Sequence, residues 1–365
     1  MIDIDLIAGA RPNFIKISAI YHALDSFNKQ AEKPIVFRLI HTGQHFDKNM
    51  SGDFFEQLGI RDPDVNFAIG SGTQARQKAG IMIAYEKLLM ESPARICVVV
   101  GDVNSTVACS IAAIKLGVKV AHVEAGIRSY DRTMPEEINR LLTDAITDIF
   151  FTTSRLAGQN LLDSGFKEDQ IHFVGNTMID TLYRFKSQFE IPVSLKVEIG
   201  DQPFVLLTMH RPSNVDHPEV FKKILNSISE TISKDFKIVF PVHPRTKKVL
   251  QGIKDQYTNV IWTTPQPYFA FMGLLESSRG IMTDSGGVTE EATVLGIPCI
   301  TLRNSTERPE TVDIGTNILI GKDLDLLVKS IKSMCKGNWK SFEIPELWDG
   351  KTGERIVKVL NDILL

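Results

Sequence analysis

The sequence has few cysteines and no long apolar run, and each shortage argues against a class of protein. Its 365 residues include four cysteines, none in a Cys-x-x-Cys pair, so neither a disulfide framework nor a metal site is expected. No apolar run approaches the roughly 20 residues that a membrane-spanning helix needs. Lys and Arg total 41 against 44 Asp and Glu, which argues against nonspecific binding to nucleic acid or to an anionic membrane. The chain begins Met-Ile-Asp-Ile-Asp-Leu, without a basic segment or a cleavage site, so we expect a cytoplasmic protein.

The chain is too long for one ordinary core, and its pattern predicts two α/β domains. Short β-rich runs alternate with helix-length amphipathic stretches, as in parallel α/β folds. The pattern breaks from Arg184 to Gln202, and a new strand–helix series follows. We predict two doubly wound, Rossmann-like domains, residues 1–175 with 352–365 and residues 176–351. The last helix is expected to cross back to the first domain. The predicted strands are Ile4–Ala8, Phe37–His41, Ile96–Val100, Lys119–Val123, Ile149–Thr152, His172–Val174, Phe204–Met209, Lys237–Val242, Val260–Trp262, Gly280–Met282 and Cys299–Leu302.

Polar residues follow most of these strands, and in open parallel sheets ligands bind beyond the strand carboxyl ends. The pattern therefore predicts a cleft between the domains that both of them line. The second half contributes cations and phosphate-type donors, which indicate a nucleotide-diphosphate side: His210, Arg211, His243, Arg245, Ser285, Gly286, Gly287, Arg303 and Arg308. The first half contributes carboxylates and interleaved cations, which indicate an acid–base side: Asp102, Glu124, Asp131, Glu136, Glu137, Arg11, Lys16, Arg128 and Arg140.

The run Asp284-Ser-Gly-Gly-Val-Thr-Glu-Glu291 leaves two interpretations open. The glycines let a ligand approach the backbone, and the helix start offers N–H groups to a phosphate. Glu290 and Glu291 would then suit the hydroxyls of a ribose. An ordinary strand–helix turn, with acids that favour the helix dipole, explains the same residues.

Other candidates also have a purely structural interpretation. Pro135 and the acids after it suit a helix start. Glu136 and Arg140 are spaced i,i+4 and could form a surface pair worth a few tenths of a kcal/mol. His210 and His243 could each cap a neighbouring loop, although their position after successive strands favours the cleft.

Taken together, several segments resemble the non-hydrolysing UDP-N-acetylglucosamine 2-epimerases, in order and at plausible spacing from about Ile4 to Gly321. The segments are Gly9–Lys16, Thr42–His45, Gly101-Asp102, His122–Arg128, Pro135–Arg140, Thr283–Glu291 and Thr306–Glu310. The resemblance implies the two-domain GT-B arrangement with the active site in the interdomain cleft. It also implies a homodimer, no metal or other cofactor, and a UDP-sugar as the substrate.

Each family role falls on a particular position of this chain. The resemblance makes Asp102, Glu124 and Glu136 the catalytic carboxylates and His210 the catalytic-site histidine. Arg11 and Lys16 would face the substrate, and Arg140 matches the arginine after the glutamate pair. Ser285, Gly286 and Glu291 match residues that bind diphosphate and ribose. Gly287 and His243 join them as substrate-binding candidates on the nucleotide side.

The implied reaction is the reversible C2 epimerisation of UDP-GlcNAc to UDP-ManNAc, for the synthesis of cell-surface polysaccharide precursors. UDP leaves, a carboxylate removes the C2 proton to give a 2-acetamidoglucal, and UDP adds back with protonation from the other face. A 2-epimerase of another UDP-2-acetamido sugar and a GT-B glycosyltransferase remain alternatives, with a hydrolysing enzyme and a nucleotide-sugar sensor behind them.

The chain departs from common family members at three places. Asn13 stands where many members have Glu. The histidine motif reads His210-Arg-Pro-Ser-Asn214, where common members have His-Arg-Arg-Glu-Asn. The run Gln44-His-Phe-Asp47 lacks the second glutamine with which some members bind UDP-GlcNAc as an allosteric activator.

Overall fold

The first Rossmann-like unit is built on seven parallel strands that lie in the order β3-β2-β1-β4-β5-β6-β7. A computed structural model of the chain describes residues 2–9, 11–43, 55–70 and 72–365, apart from the side chains of Arg11 and Pro12. The strands are β1 (Ile2–Ala8), β2 (Phe37–His41), β3 (Val65–Asn66), β4 (Ala94–Val100), β5 (Lys119–Val123), β6 (Ile149–Thr152) and β7 (Ile171–Phe173). Between them lie α1 (Arg11–Asn28), α2 (Gln74–Glu91), α3 (Asn104–Lys115), α4 (Pro135–Asp144), α5 (Arg155–Asp163) and, after β7, α6 (Thr177–Phe185).

The second unit repeats the design with six parallel strands in the order β10-β9-β8-β11-β12-β13. This is the 3-2-1-4-5-6 order of a doubly wound nucleotide-binding sheet. The strands are β8 (Phe204–Thr208), β9 (Lys237–Pro241), β10 (Val260–Thr263), β11 (Ile281–Thr283), β12 (Cys299–Thr301) and β13 (Asn317–Leu319). The helices of this unit are α7 (Val193–Ile199), α8 (Pro212–Val215), α9 (Pro218–Thr231), α10 (Tyr268–Ser277), α11 (Gly286–Leu295), α12 (Pro309–Asp313) and α13 (Leu324–Lys336). The last helix of the chain, α14 (Thr352–Leu364), belongs to the first unit.

The continuous apolar runs form strands because helices cover both faces of each sheet. In β4, the residues from Ile96 to Val100 are all buried, and in β8 so are those from Phe204 to Leu207. Each predicted strand overlaps an observed one, and the prediction of two doubly wound Rossmann-like domains is confirmed. The sequence pattern missed β3 and β13, which have two and three residues. Among the described residues, no helix combines the length and apolarity needed to cross a membrane.

The C-terminal segment belongs to the first unit, which comprises Met1–Arg184 and Glu346–Leu365, while the second comprises Phe185–Pro345. These bounds differ from 175 and 352 for a physical reason. Thr181 of α6 donates a hydrogen bond to Ile15 O at 2.6 Å, and the buried Trp348 donates to Thr153 O at 3.1 Å. Both contacts hold residues outside the expected bounds to the first core.

The N-terminus of α14 docks on the first unit through a carboxylate. Asp180 accepts hydrogen bonds from the N–H groups of Thr352 at 3.1 Å and Gly353 at 2.7 Å. A Cβ added to Gly353 would lie 2.5 Å from Ala19 O, so only glycine permits this approach of α14 to α1. Asp180 thus supplies a helix cap from a different helix.

Replacing Asp180 with Ala should loosen α14 without unfolding the sheet. Loss of the cap is expected to cost about 1–2 kcal/mol, because two helix N–H groups lose their acceptor. Hydrogen–deuterium exchange of the α14 amides measures the change as faster local opening. Asp362→Ala, at an exposed position of the same helix, is the control. Equal protection of α14 in both variants would contradict the capping role.

Candidate active site

At the carboxyl ends of β4 and β5 in the first unit, a lysine of α1 meets the glutamate that follows β5. Lys16 Nζ lies 2.6 Å from Glu124 Oε2, and Glu124 is 4% exposed. Gly101 is beside them, since a Cβ added there would lie 3.4 Å from Lys16 Nζ and 3.6 Å from Glu124 Oε2. Gly101 has φ +68°. The missing side chain therefore suits both the backbone conformation and the close packing of the ion pair.

Glu124 itself has φ +70°, in the left-handed region that non-glycine residues rarely occupy. The turn is held by hydrogen bonds from the N–H groups of Glu124 and Ala125 to Phe151 O, at 3.0 and 3.1 Å. Backbone strain of this kind costs about 1–3 kcal/mol and concentrates at functional sites. The strain supports a functional role for the Glu124 carboxylate.

Asp102 follows Gly101 and is oriented by two residues of α4. Arg140 Nη2 lies 2.6 Å from Asp102 Oδ2, and Asn139 Nδ2 donates to Asp102 O at 2.8 Å. Arg140 Nη1 also donates to Glu137 Oε2 at 2.8 Å. Arg140 is buried and pairs with Glu137 and Asp102, so it does not lie at the surface as the alternative of an i,i+4 pair with Glu136 assumed.

Glu137 is a structural member of this group. Its carboxylate accepts hydrogen bonds from Ser129 N at 2.9 Å and Tyr130 N at 3.1 Å. Burial would raise the pKa of Glu137, but the hydrogen bonds from Ser129 and Arg140 hold that pKa below its usual value. Glu137 thus stays ionised and fixes Arg140.

Glu136 is half-buried at the second position of α4. Among the described residues, its carboxylate takes part in no hydrogen bond or ion pair. It differs in this from Asp102 and Glu124, which both face a cation. Arg11 is the first residue of α1, and its side chain is outside the description. Gln44, His45 and Asp47 of the glutamine motif lie outside the described residues.

In the second unit a buried aspartate, Asp284, organises the loop after β8. It accepts hydrogen bonds from His210 N at 3.0 Å, Arg211 N at 2.9 Å and Asn214 Nδ2 at 3.0 Å. His210 Nδ1 lies 2.9 Å from Asp284 Oδ1, so Nε2 is the ring nitrogen left for a ligand. Burial alone would raise the pKa of Asp284, but the bonds from His210, Arg211 and Asn214 lower it.

His210 and His243 lie side by side, with ring centroids 5.4 Å apart. Arg245 N donates to His243 Nδ1 at 3.1 Å, so a proton of the neutral ring is on Nε2. Burial and the neighbouring His210 lower the pKa of His243, which favours that neutral form. Both histidines line a cavity of about 200 Å³ together with Ser285, Gln266 and Phe271.

Ser285 directly precedes α11 at the N-cap position, without a side-chain capping hydrogen bond, and the first two residues of the helix are Gly286 and Gly287. The cavity therefore meets the N-terminus of a ten-residue helix, where free N–H groups attract a phosphate. Three arginines from the predicted cation set have carboxylate partners instead. Arg245 pairs with Asp216 at 2.8 Å, Arg303 with Glu307 at 2.7 Å, and Arg308 with Glu290.

Glu290 and Glu291 are both buried but differ in their surroundings. Glu290 faces the guanidinium of Arg308, whereas Glu291 Oε1 has no hydrogen-bond partner among the described residues. Burial raises the pKa of Glu291 to about 8; the nearby Tyr268 hydroxyl opposes the rise and Glu290 adds to it. A buried carboxyl oxygen without a partner suits a ligand hydroxyl.

The structure thus forms two groups of predicted site residues. Lys16, Asp102, Glu124, Glu136 and Arg140 belong to the first unit; His210, His243, Ser285, Gly286, Gly287 and Glu291 belong to the second. Asn139, Gln266 and Phe271 were not predicted from the sequence, and neither was the role of Asp284 in orienting His210. The carboxylate of Asp284 directly after the short buried strand β11 was a usable signal. Among the described residues, no group of three or more His, Cys, Asp or Glu could hold a metal ion.

Comparison with known proteins gives consistent matches over most of the chain. Residues 28–361 match the family model described as UDP-N-acetylglucosamine 2-epimerase. The UDP-N-acetylglucosamine 2-epimerase of Methanocaldococcus jannaschii is 42% identical, over 98% of both chains. The UDP-2,3-diacetamido-2,3-dideoxy-D-glucuronate 2-epimerase of Pseudomonas aeruginosa is 40% identical, over 90% of both chains. The crystal structure of the M. jannaschii enzyme in complex with UDP-GlcNAc and UDP superposes with a TM-score of 0.86 at 41% identity, covering 99% of this chain and 100% of that one.

The two neighbouring glutamates should respond oppositely to replacement by Gln. The pKa of Glu291 is about 8 in the fold and 4.5 ordinarily, so the native state loses stability as pH rises from about 4.5 through 8. Glu291→Gln removes this loss. The free energy of unfolding of the variant, measured with urea, should therefore rise relative to that of the unmodified chain by a few kcal/mol between pH 5 and pH 9. Stability curves that stay parallel over this range would contradict the raised pKa.

Glu290→Gln is the matched control at the adjacent position. It removes the carboxylate that faces the buried Arg308, and breaking a buried pair costs about 3–5 kcal/mol. This variant should therefore be less stable than the unmodified chain throughout the pH range.

Proposed function

The chain belongs to the UDP-N-acetylglucosamine 2-epimerase family, and we propose that it interconverts UDP-GlcNAc and UDP-ManNAc without hydrolysing them. The observation that carries the proposal is the carboxylate group of the first unit. Asp102 and Glu124 each lie 2.6 Å from a cation, and Glu136 is on the helix that supplies one of those cations. A glycosyltransferase needs at most one base for its acceptor, whereas epimerisation needs a proton acceptor and a proton donor.

The chemistry explains why several carboxylates are needed. The C2 hydrogen of the sugar is not next to a carbonyl, so it is not acidic in the bound substrate. When the C1–O bond to UDP breaks, positive charge develops at C1 and the C2 proton becomes acidic. A carboxylate then takes that proton and the C1–C2 double bond of a 2-acetamidoglucal forms. Re-addition of UDP to C1, with protonation of C2 from the opposite face, gives the epimer.

We propose that the second unit holds the leaving group. The diphosphate would lie at the N-terminus of α11, near Ser285, with His210 and His243 donating through Nε2. The ribose hydroxyls would bind Glu291, whose Oε1 lacks a partner among the described residues. The amide of Gln266 and the ring of Phe271, which line the same cavity, suit the uracil base.

A second candidate substrate follows from one relative. The P. aeruginosa enzyme is almost as similar as the M. jannaschii enzyme, and its name specifies a diacetamido-glucuronate sugar. Epimerisation of that sugar would need the same carboxylates and the same UDP site. We further propose that the reaction takes place in the cytoplasm and supplies precursors of cell-surface polysaccharide.

Incubation with UDP-GlcNAc in D₂O, followed by NMR, tests the reaction. We expect deuterium at C2 and the appearance of UDP-ManNAc, without an added acceptor or metal. Free ManNAc would instead indicate hydrolysis, and no change in either signal would contradict the proposal. UDP-2,3-diacetamido-glucuronate in a parallel reaction decides between the two substrates by the larger kcat/KM.

The variants Asp102→Asn, Glu124→Gln and Glu136→Gln should each lower the exchange rate at least about a hundredfold, because general acid–base groups contribute about 10²–10⁴. Glu168→Gln, at an exposed position of the same unit, is the control and should exchange normally. A carboxylate whose removal leaves the rate normal has no part in proton transfer.

We propose that the protein is a homodimer, as the family resemblance implies. Two large apolar residues of α2 support this, since Ile83 is 66% and Met90 73% exposed. Replacement of both by Lys should lower the mass measured by light scattering from that of a dimer to that of a monomer. Val193→Lys, another exposed apolar position, should leave the mass unchanged. A monomeric unmodified chain would contradict the proposal.

A further inference from the structure

His122 and Asp144 form a fully buried pair next to the carboxylate group of the first unit. His122 lies in β5, and Asp144 is the last residue of α4. The two atoms His122 Nδ1 and Asp144 Oδ1 are 2.7 Å apart. The other ring nitrogen, Nε2, lies 2.9 Å from Gly101 O. His122 is 0% exposed, so these two contacts account for the polar atoms of its ring.

The partners of the ring decide how many protons it carries. A backbone carbonyl can only accept a hydrogen bond, so Nε2 must donate to Gly101 O. Asp144 is ionised, because Arg128 Nη1 and Gly126 N donate to its Oδ2 at 2.6 and 3.2 Å. An ionised carboxylate also only accepts, so Nδ1 must donate as well.

The pair connects the segments that carry the three carboxylates. Gly101 directly precedes Asp102, and its N–H donates to Val123 O at 2.9 Å, next to Glu124. Gly126 lies two residues after Glu124, in the turn with positive φ. Asp144 ends the helix on which Glu136 lies. Movement of the ring would therefore shift all three segments.

We propose that His122 is held as a doubly protonated imidazolium and acts as a positioning residue for Asp102, Glu124 and Glu136. Its burial keeps it from touching the substrate, so it acts only through the backbone of Gly101 and through Asp144. This inference rests on the proposed function for its kinetic consequence, while the protonation of the ring is independent of it.

Nitrogen-15 NMR of the labelled protein at neutral pH tests the protonation directly. The signals of His122 are assigned by their loss in the His122→Gln variant. We expect both ring nitrogens at the chemical shift of protonated imidazole nitrogen. A shift typical of an unprotonated nitrogen for either of them would overturn the proposal. In Asp144→Asn, which removes the negative partner, we expect one nitrogen to lose its proton; an unchanged spectrum would contradict the role of Asp144.

Steady-state kinetics tests the positioning role. His122→Gln should lower kcat about a hundredfold, as misplacement of catalytic groups by about 1 Å does, and change KM and the affinity for UDP little. The matched control is His172→Gln, which lies in β7 of the same sheet and should keep the normal kcat. A normal kcat for His122→Gln overturns the positioning role.

The NMR and the kinetic measurements distinguish a failure of the proposed function from a failure of the role proposed for His122. If the unmodified protein showed no C2 exchange, the proposed function would fail, while the NMR result would still decide the state of His122. If His122→Gln did not fold, as shown by lost UDP binding and circular dichroism, Asp144→Asn would provide the kinetic comparison, with the same expected loss of kcat.

Discussion

Both units depend on one physical constraint, the need of a buried carboxylate for hydrogen-bond donors. Asp144 in the first unit and Asp284 in the second are buried and lie near the carboxyl ends of the parallel strands. Each accepts from Nδ1 of a histidine, at 2.7 Å from His122 and 2.9 Å from His210, and from at least one backbone N–H. Because removing these donors would leave a bare buried charge, the loops that supply them cannot relax. A buried carboxylate without donors would destabilise the core. Because the loops of the candidate site supply these donors, Asp144 and Asp284 hold the loops in place.

The fold was predictable because its signals are local. Helices cover both faces of each sheet, so buried strands such as β4 and β8 are apolar along their whole length. Such runs can be recognised in the sequence alone. The two missed strands fail for the same reason, since Val65–Asn66 and Asn317–Leu319 are too short to show a pattern. The domain bounds moved because Thr181 and Trp348 bind residues that are distant in sequence. No local pattern encodes such contacts.

For the candidate site, the sequence indicates residue types better than it indicates which side chains pair with each other. The rule that ligands bind at strand carboxyl ends pointed to Lys16, Asp102, Glu124 and His210. Which glutamate pairs with which arginine is decided by burial and side-chain reach. Helical spacing suggested Glu136 for Arg140, but Glu137 is the buried one and Arg140 turns to it. In the same way, the residue types of Glu290 and Glu291 do not show which of them is paired, and the position of Arg308 decides it.

Epimerisation explains why such rigidity would be selected. Hydrolysis needs water on one face of a carbon, whereas inversion at C2 needs a proton taken from one face and returned to the other. In the mechanism that we propose, the carboxylates that take and return this proton must therefore each keep a fixed distance from C2. A strained turn at Glu124, a glycine without a side chain at position 101 and a guanidinium shared by Asp102 and Glu137 each restrict movement at the carboxylates. The strain at Glu124 persists because Phe151 O, Asp144 and Lys16 each hold a residue of the turn.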